Sequence, residues 1–352
     1  MSRLRFPRIT FRAGTLGFGL LSAGIFGIAL FLAIADLGFA RIWDEIVAIG
    51  PGLLGIILVH VGQLAFCALA WHALFAVPAG LKRPGLPRLL QMRWLRESID
   101  SLLPVAQIGG ELAAARLVAR RGLPLPLTGA SVIADVTVET LTQAIYTLIG
   151  LGLLYMLADP GDVLRWAALG FAIAVVFAAL AVFAQRLGGV RLFEKILLAI
   201  ADRTGWSRLE GIAGLDRALG QVYRLRARLF LAGLYHLAAW SLGAGEVMIA
   251  AYALGYHPTL GQAYVIECLA QAVRSAAFFV PGAVGVQEGG FVLLAGLFGI
   301  PADAAISISL SKRVRELALG LPGLGLWQLL EFRSRAALQA AHTMVALDRK
   351  AV

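Results

Sequence analysis

A pattern of proline, glycine and glutamate occurs twice inside apolar sequence, and it constrains the fold more than any other feature of the chain. The first copy reads PVAQIGGE from Pro104 to Glu111 and leads to Gly122-Leu-Pro124. The second reads PGAVGVQE from Pro281 to Glu288 and leads to Gly299-Ile-Pro301. Every marker moves by 177 positions (104 to 281, 111 to 288, 122 to 299), and the same shift relates Glu139 to Glu316. Interrupted apolar segments at corresponding places in two halves point to a transporter binding site. Broken backbone deep in a membrane survives only where protein or a water-filled cavity satisfies its polar groups.

The chain around these motifs is 59% hydrophobic and 15% charged, with a mean hydropathy of +0.81. Soluble domains do not reach such values. Runs near the length of about 20 apolar residues that crosses a bilayer recur at 15–35, 52–75, 128–156, 164–183, 229–254 and 303–330. A soluble bundle would need polar faces on these segments, and 16–32 has none. Shorter apolar stretches lie at 102–118, 264–280 and 289–300. Arg3, Arg5, Arg8 and Arg12 before the first run imitate a secretory leader, but the run exceeds the roughly 7–15 residues of a leader's apolar core. An uncleaved first helix is the expectation. Cys67 and Cys268 sit in apolar segments without metal-ligand spacing and read as small buried hydrophobes.

The formal charge of +10 needs no anionic partner, because cytoplasmic loops of membrane proteins collect Lys and Arg. Nucleic acid is not an expected partner. Basic stretches at 2–12, 82–96, 116–121, 185–228 and after Arg333 alternate with acidic or neutral ones at 36–50, 159–162 and 256–262. Alternation places both termini inside. It also runs 52–75 and 229–254 in opposite directions, so equal spacing with opposite orientation predicts inverted repeats about an axis in the membrane plane.

The expected fold is all-α: a polytopic integral membrane protein of two inverted repeats, each with a re-entrant helical hairpin. One membrane domain covers 1–352. Its parts are a first helix at 15–35, a repeat at 52–157, a linking helix at 164–184, a cytoplasmic amphipathic loop at 185–228, a repeat at 229–330 and a cytoplasmic tail at 331–352. Pro104 and Pro281 remove a backbone donor and end helices. Gly109 and Gly110 in one copy, and Gly285 and Gly289 in the other, are the expected hinges.

Charges in these segments carry the functional reading. A charge at the bilayer centre costs about 2.5–3.5 kcal/mol on insertion scales, so it is paired or functional. Glu111 and Glu288 fall in the first turn of a short helix, where a carboxylate meets free N–H groups; capping and a place on a substrate path are compatible. Gln107 and Gln287 are positioned to satisfy open hairpin backbone. Asp135 and Glu139 share a helix face, and their equivalents are Lys312 and Glu316, flanked by Arg313 and Arg315. A two-fold axis could pair Asp135 with Lys312; the other reading has Lys312 and Arg315 snorkelling to water. Arg93 with Glu97, and Arg96 with Asp100, have the spacing of helix-surface pairs, and Arg274 lies on the equivalent helix. His60 and His236 read as hydrogen-bonded packing residues, and Glu246 has no polar equivalent to suggest a role. Phosphate-loop, zinc-hydrolase and serine-hydrolase motifs are absent, so no catalytic residue, metal or cofactor is expected.

The motifs resemble the membrane region of lysylphosphatidylglycerol synthases and their flippase-like relatives. More narrowly, RWLRESID from Arg93, LLPVAQIGGE from Leu102, RSAAFFVPGAVGVQEGG from Arg274 and RVRELALGLPG from Arg313 are similar to the HpnL group of hopanoid-biosynthesis-associated membrane proteins. The resemblance spans roughly residues 53–327. It implies a bacterial inner membrane protein that handles hopanoid or phospholipid, with hopanoid-synthesising enzymes as further partners. The synthases' soluble aminoacyl-transferase domain has no counterpart, so lipid aminoacylation does not carry over.

The function expected is that of a lipid translocase. Its headgroup path would comprise Gln107, Glu111, Asp135, Glu139, Arg274, Gln287, Glu288, Lys312, Arg315 and Glu316. A non-transporting scaffold for hopanoid enzymes is the alternative, and an intramembrane enzyme using Glu111 or Glu288 as base is a third reading.

Overall fold

The computed structural model describes residues 43–44, 47–78, 80–103, 109–120, 122–158, 165, 171–172, 214–277, 283 and 285–348, with backbone only beyond 332. The expected spans at 15–35 and 164–183, most of the amphipathic loop at 185–228, and Pro104, Gln107 and Pro281 lie outside these residues, apart from isolated positions of the second span. The described residues form helices joined by short turns, with no strand among them.

The first half contributes α1 (Gly52–Ala73), α2 (Leu86–Leu102), α3 (Gly109–Ala119) and α4 (Leu125–Leu157). Then come α5 (Leu215–Arg224), α6 (Arg226–Ala253), α7 (Leu260–Ala276), α8 (Val286–Gly296) and α9 (Ala302–Asp348). Helices α1 and α4 are long and apolar enough to cross a membrane. At 11 residues each, α3 and α8 reach only about 16 Å, half of a hydrocarbon core of roughly 30 Å.

Local chemistry sets the boundaries. Leu103, the residue before Pro104, is extended at φ −110°, ψ 144°, as the clash with a following proline ring demands. Pro87 sits in the first turn of α2, where its missing N–H costs nothing. Thr259 and Gln262 cap α7 reciprocally, each side chain bonding the other's backbone N–H, at 3.3 and 2.8 Å. Before α8, Gly285 takes φ +78°, a left-handed conformation that glycine alone adopts without strain. Pro322 lies within α9 without ending it. The helix continues to Asp348, so the tail expected to begin at 331 is an extension of the last helix.

The 177-residue shift appears in the helices. Gly109 and Val286 open α3 and α8, and Leu125 and Ala302 open α4 and α9. Packing follows the same rule. Helix α1 lies along α6; α2 packs on α9 and α4 on α7; α2 packs on α3 and α7 on α8. Exchanging the halves maps each pair onto another pair present. Helix α5, whose buried Leu215, Ala218, Leu219 and Val222 form one amphipathic face, packs on α4.

Hinge glycines differ in what they meet. A Cβ on Gly110 would fall 2.3 Å from both the Arg96 carbonyl oxygen and Asp100 Oδ2, so α3 reaches α2 only through this glycine. Gly109 simply opens α3, while Gly289 lies inside α8 with nothing within 4 Å of an added Cβ. Gly289 is therefore a helix residue and not a hinge. Gly110→Ala should lower stability by about 1–3 kcal/mol, the cost of overpacking, and depress the unfolding midpoint of the purified protein in detergent. Gly289→Ala should be neutral or slightly stabilising, since alanine is the better helix former; equal losses at both sites would contradict the close approach of α3 to α2.

Candidate functional site: a charged cavity between the halves

Five helices each carry a polar stripe at helical spacing. These are His60, Gln63 and Cys67 on α1; Arg93, Arg96, Glu97 and Asp100 on α2; and Asp135, Glu139 and Gln143 on α4. Helix α7 adds Glu267, Gln271 and Arg274, and α9 adds Lys312, Arg315 and Glu316. Offsets of three, four and seven hold each stripe on one face. The stripes converge on a cavity of about 330 Å³ that all of these residues line except Asp135, which is fully buried behind Arg96.

In the first half, Arg93 grips Glu139 as a fork, Nη1 to Oε2 at 2.9 Å and Nη2 to Oε1 at 2.5 Å. Arg96 spreads over three carboxylates: Asp135 Oδ2 at 2.7 Å, Glu139 Oε2 at 3.0 Å and Glu111 Oε1 at 3.0 Å. Planar guanidinium donors suit such multidentate bridging. His236 Nε2 bonds the other oxygen of Asp135 at 3.0 Å. Asp100 Oδ1 accepts the Gly110 N–H at 2.8 Å, satisfying one of the free donors at the start of α3.

Glu246 on α6 is the hub of the second cluster. Its Oε1 accepts Gln63 Nε2 at 2.7 Å and faces His60 Nδ1 at 3.3 Å. Its Oε2 takes Arg315 Nη1 and, at 2.9 Å, Lys312 Nζ. Lys312 Nζ also bonds both oxygens of Glu267 at 2.7 Å. Farther along, Arg274 pairs with Glu316 and donates to Gln287 Oε1 at 3.0 Å. Gln287 Nε2 reaches Ser309 Oγ at 3.1 Å. Glu288 Oε2 accepts the Gly285 N–H at 2.7 Å, and its Oε1 lies 3.4 Å from Arg313 Nε. A carboxylate in the first turn of α8 thus caps the helix and meets a cation at once.

Cys67, Glu139 and His236 bring potential ligand atoms within 4.8 Å of one another. Both oxygens of Glu139 are held by arginines, and two guanidinium charges there oppose a metal cation.

Residues 19–323 match the family model of the lysylphosphatidylglycerol synthase TM region. The chain belongs to that family. It is a helical membrane protein of a lipid-related kind, and its charged cavity lies within the matched region. No match was found among curated proteins or among solved structures.

Several sequence expectations need correction. Asp135 and Lys312 do not pair with each other: Asp135 takes Arg93, Arg96 and His236, whereas Lys312 takes Glu246 and Glu267. Apart from His236, which reaches Asp135 from α6, the two residues take their partners from their own halves. Snorkelling is also excluded, since Lys312 and Arg315 are each 5% exposed. The expected helix-surface partners of Arg93 and Arg96 give way to carboxylates on α3 and α4. Glu97 instead meets His60 Nε2 at 2.5 Å. Gln287 bonds side chains rather than hairpin backbone. Glu246, Glu267, Gln63 and Gln143 were absent from the expected headgroup path; a polar residue on the apolar stripe of α1, α4, α6 or α7 was the available signal.

Removing one partner from a buried ion pair costs about 3–5 kcal/mol. Asp135→Ala, which leaves Arg96 and His236 facing a void, should destabilise by that order in thermal unfolding in detergent. The exchange Asp135→Lys with Lys312→Asp should recover none of the loss, and recovery would mean that the two residues are partners after all.

Proposed function

We propose that the protein is a lipid translocase rather than an enzyme. It passes the headgroup of a hopanoid or phospholipid through the charged cavity while the apolar tail stays in the bilayer. The observation that carries this reading is the cavity itself: at about 330 Å³ it falls at the small end of ligand pockets, room for a headgroup but not for a whole lipid. Arg93 Nε and Arg315 Nε are buried donors without a hydrogen-bond partner among the described residues. Phosphate or hydroxyl oxygens suit such donors. Outward, α1 exposes Leu54 and Leu58, α4 exposes Leu148, and α8 exposes Leu293, a surface fit for lipid chains.

In this reading the halves at 52–157 and 229–330 are inverted repeats, α2–α3 and α7–α8 are re-entrant hairpins, and one half rocks against the other. The paired helix starts and the exchangeable packing support that symmetry. The basic-loop pattern supports a bacterial inner membrane location with both termini cytoplasmic, and the motifs shared with hopanoid-associated proteins favour hopanoid as cargo. A scaffold for hopanoid enzymes has no need of a charged interior, whose desolvation is costly.

Liposomes containing the full chain, with NBD-labelled hopanoid and NBD-labelled phosphatidylglycerol tested side by side, decide the matter. Dithionite should bleach more of at least one probe than the outer-leaflet fraction seen in protein-free liposomes. Glu111→Gln removes a charge-assisted bond, worth about 1.5–3 kcal/mol, and should slow the movement roughly tenfold or more. Unmoved probes would sink the translocase, and a new lipid species in the extracts would mark an enzyme.

A further inference from the structure

The ion pairs around the cavity divide unevenly between and within the halves. Arg93 and Arg96 bond only carboxylates of the first half, and Lys312, Arg315 and Arg274 only those of the second. Side-chain links that cross the seam at the cavity run instead through His60, His236, Gln63 and Gln143. His60 is the one that meets a carboxylate at each ring nitrogen: Glu97 Oε1 2.5 Å from Nε2 and Glu246 Oε1 3.3 Å from Nδ1.

Proton counting follows from that geometry. A neutral imidazole has one N–H and one lone pair, and an ionised carboxylate only accepts. Both bonds of His60 therefore form only when the triad of Glu97, His60 and Glu246 holds one proton more than a neutral ring between two carboxylates. Charge counting agrees. Glu97, Glu246 and Glu267 carry three negative charges, and Lys312 and Arg315 supply two positive ones. A protonated His60 supplies the third. On the other sides of His60, Arg93 of α2 and Glu139 of α4 neutralise each other through their fork.

We propose that His60 is a proton-binding bridge across the seam, and that its loading and unloading couples lipid movement to proton movement. The coupling rests on the translocase reading; the proton bridge does not. The Glu97 side chain is 35% exposed and lines the cavity, whereas Glu246 is 0% exposed, so exchange with water runs through Glu97. On release the Nε2–H bond breaks, its electron pair stays on the ring, and the proton passes by way of the Glu97 carboxylate to water. Nδ1 keeps its proton on Glu246. Nε2 and Glu97 are then two facing acceptors, the carboxylate turns into the cavity, and the six-group cluster carries a net negative charge. A headgroup entering the cavity therefore meets a different field and a looser contact around His60 in each protonation state.

Two measurements on the full chain separate the parts. Nitrogen-15 NMR of histidine-labelled protein in nanodiscs, with His60 assigned by its loss in His60→Gln, should show both ring nitrogens protonated at neutral pH. One of them should lose its proton as the pH is raised. A ring with a single N–H at neutral pH, together with ionised Glu97 and Glu246 carboxylates, overturns the bridge whatever the lipid does. In liposomes with NBD-labelled phosphatidylglycerol or NBD-labelled hopanoid, an imposed one-unit pH difference should shift the steady-state leaflet ratio of the moving probe by up to about tenfold for one coupled proton. His60→Gln, and independently Glu97→Gln should the first fail to fold, should leave that ratio indifferent to the gradient. Probe movement that ignores the gradient in the unmodified protein overturns the coupling and leaves the translocase standing. No probe movement at all overturns the translocase, and the coupling with it, while the NMR result still decides the proton bridge.

Discussion

Burying ionised groups where water is scarce is the constraint on which this structure depends. An isolated charge in such a place is untenable, so each must find an opposite charge and further hydrogen bonds. Arg96 shows the consequence. Its guanidinium reaches α3 through Glu111 and α4 through Asp135 and Glu139, and those bonds fix how three helices sit relative to one another. Apolar packing alone is permissive, because lipid chains solvate leucine as well as a neighbouring helix does. The polar stripes supply the specificity of assembly.

The backbone breaks serve the same end. Helix α3 can lie against α2 because Gly110 has no side chain to strike the Arg96 carbonyl. That close approach carries Glu111 within 3.0 Å of Arg96 Nε. In the other half Gly285 turns the chain so that its own N–H meets Glu288. A short helix, a glycine and a first-turn carboxylate thus form one device used twice, with the carboxylate facing an arginine of a neighbouring helix each time.

Much of this was legible in the sequence. The residue before Pro104 ends α2 as proline sterics require, and the 177-residue shift predicts the starts of α3 and α8 and of α4 and α9. Charges such as Asp135 and Lys312 in apolar helices could be singled out because bilayer burial makes them costly. Their partners could not be read. Spacing along one helix suggested Arg93 with Glu97, yet a fork of two bonds to Glu139 on another helix outcompetes a single contact along the surface. Equivalence under the repeat suggested Asp135 with Lys312, but symmetry relates environments and does not place equivalent residues in contact. Glu246 was opaque for the same reason: its counterpart is Leu69, so no repeat argument reaches it, and only the packing of α6 on α1 and α9 reveals its four partners.

Where the strong bonds lie bears on which motions are open to the molecule. Splitting a buried guanidinium–carboxylate fork exposes two charges to a medium that solvates them poorly, so each half moves most easily as a unit. The seam at the cavity is crossed instead by imidazole and amide groups: amides change partner without separating charge, and an imidazole can gain or lose a proton. Away from the cavity, Arg116 and Arg120 of the first half hold Glu331 at the far part of α9, and Trp94 Nε1 donates to the Leu319 carbonyl at 2.8 Å. In the proposed translocase reading, rocking that keeps the Glu331 cluster in place would leave the charge networks of both halves intact. The links that cross the seam at the cavity are thus the exchangeable bonds of His60, His236, Gln63 and Gln143, while the strong ion-pair networks lie within each half.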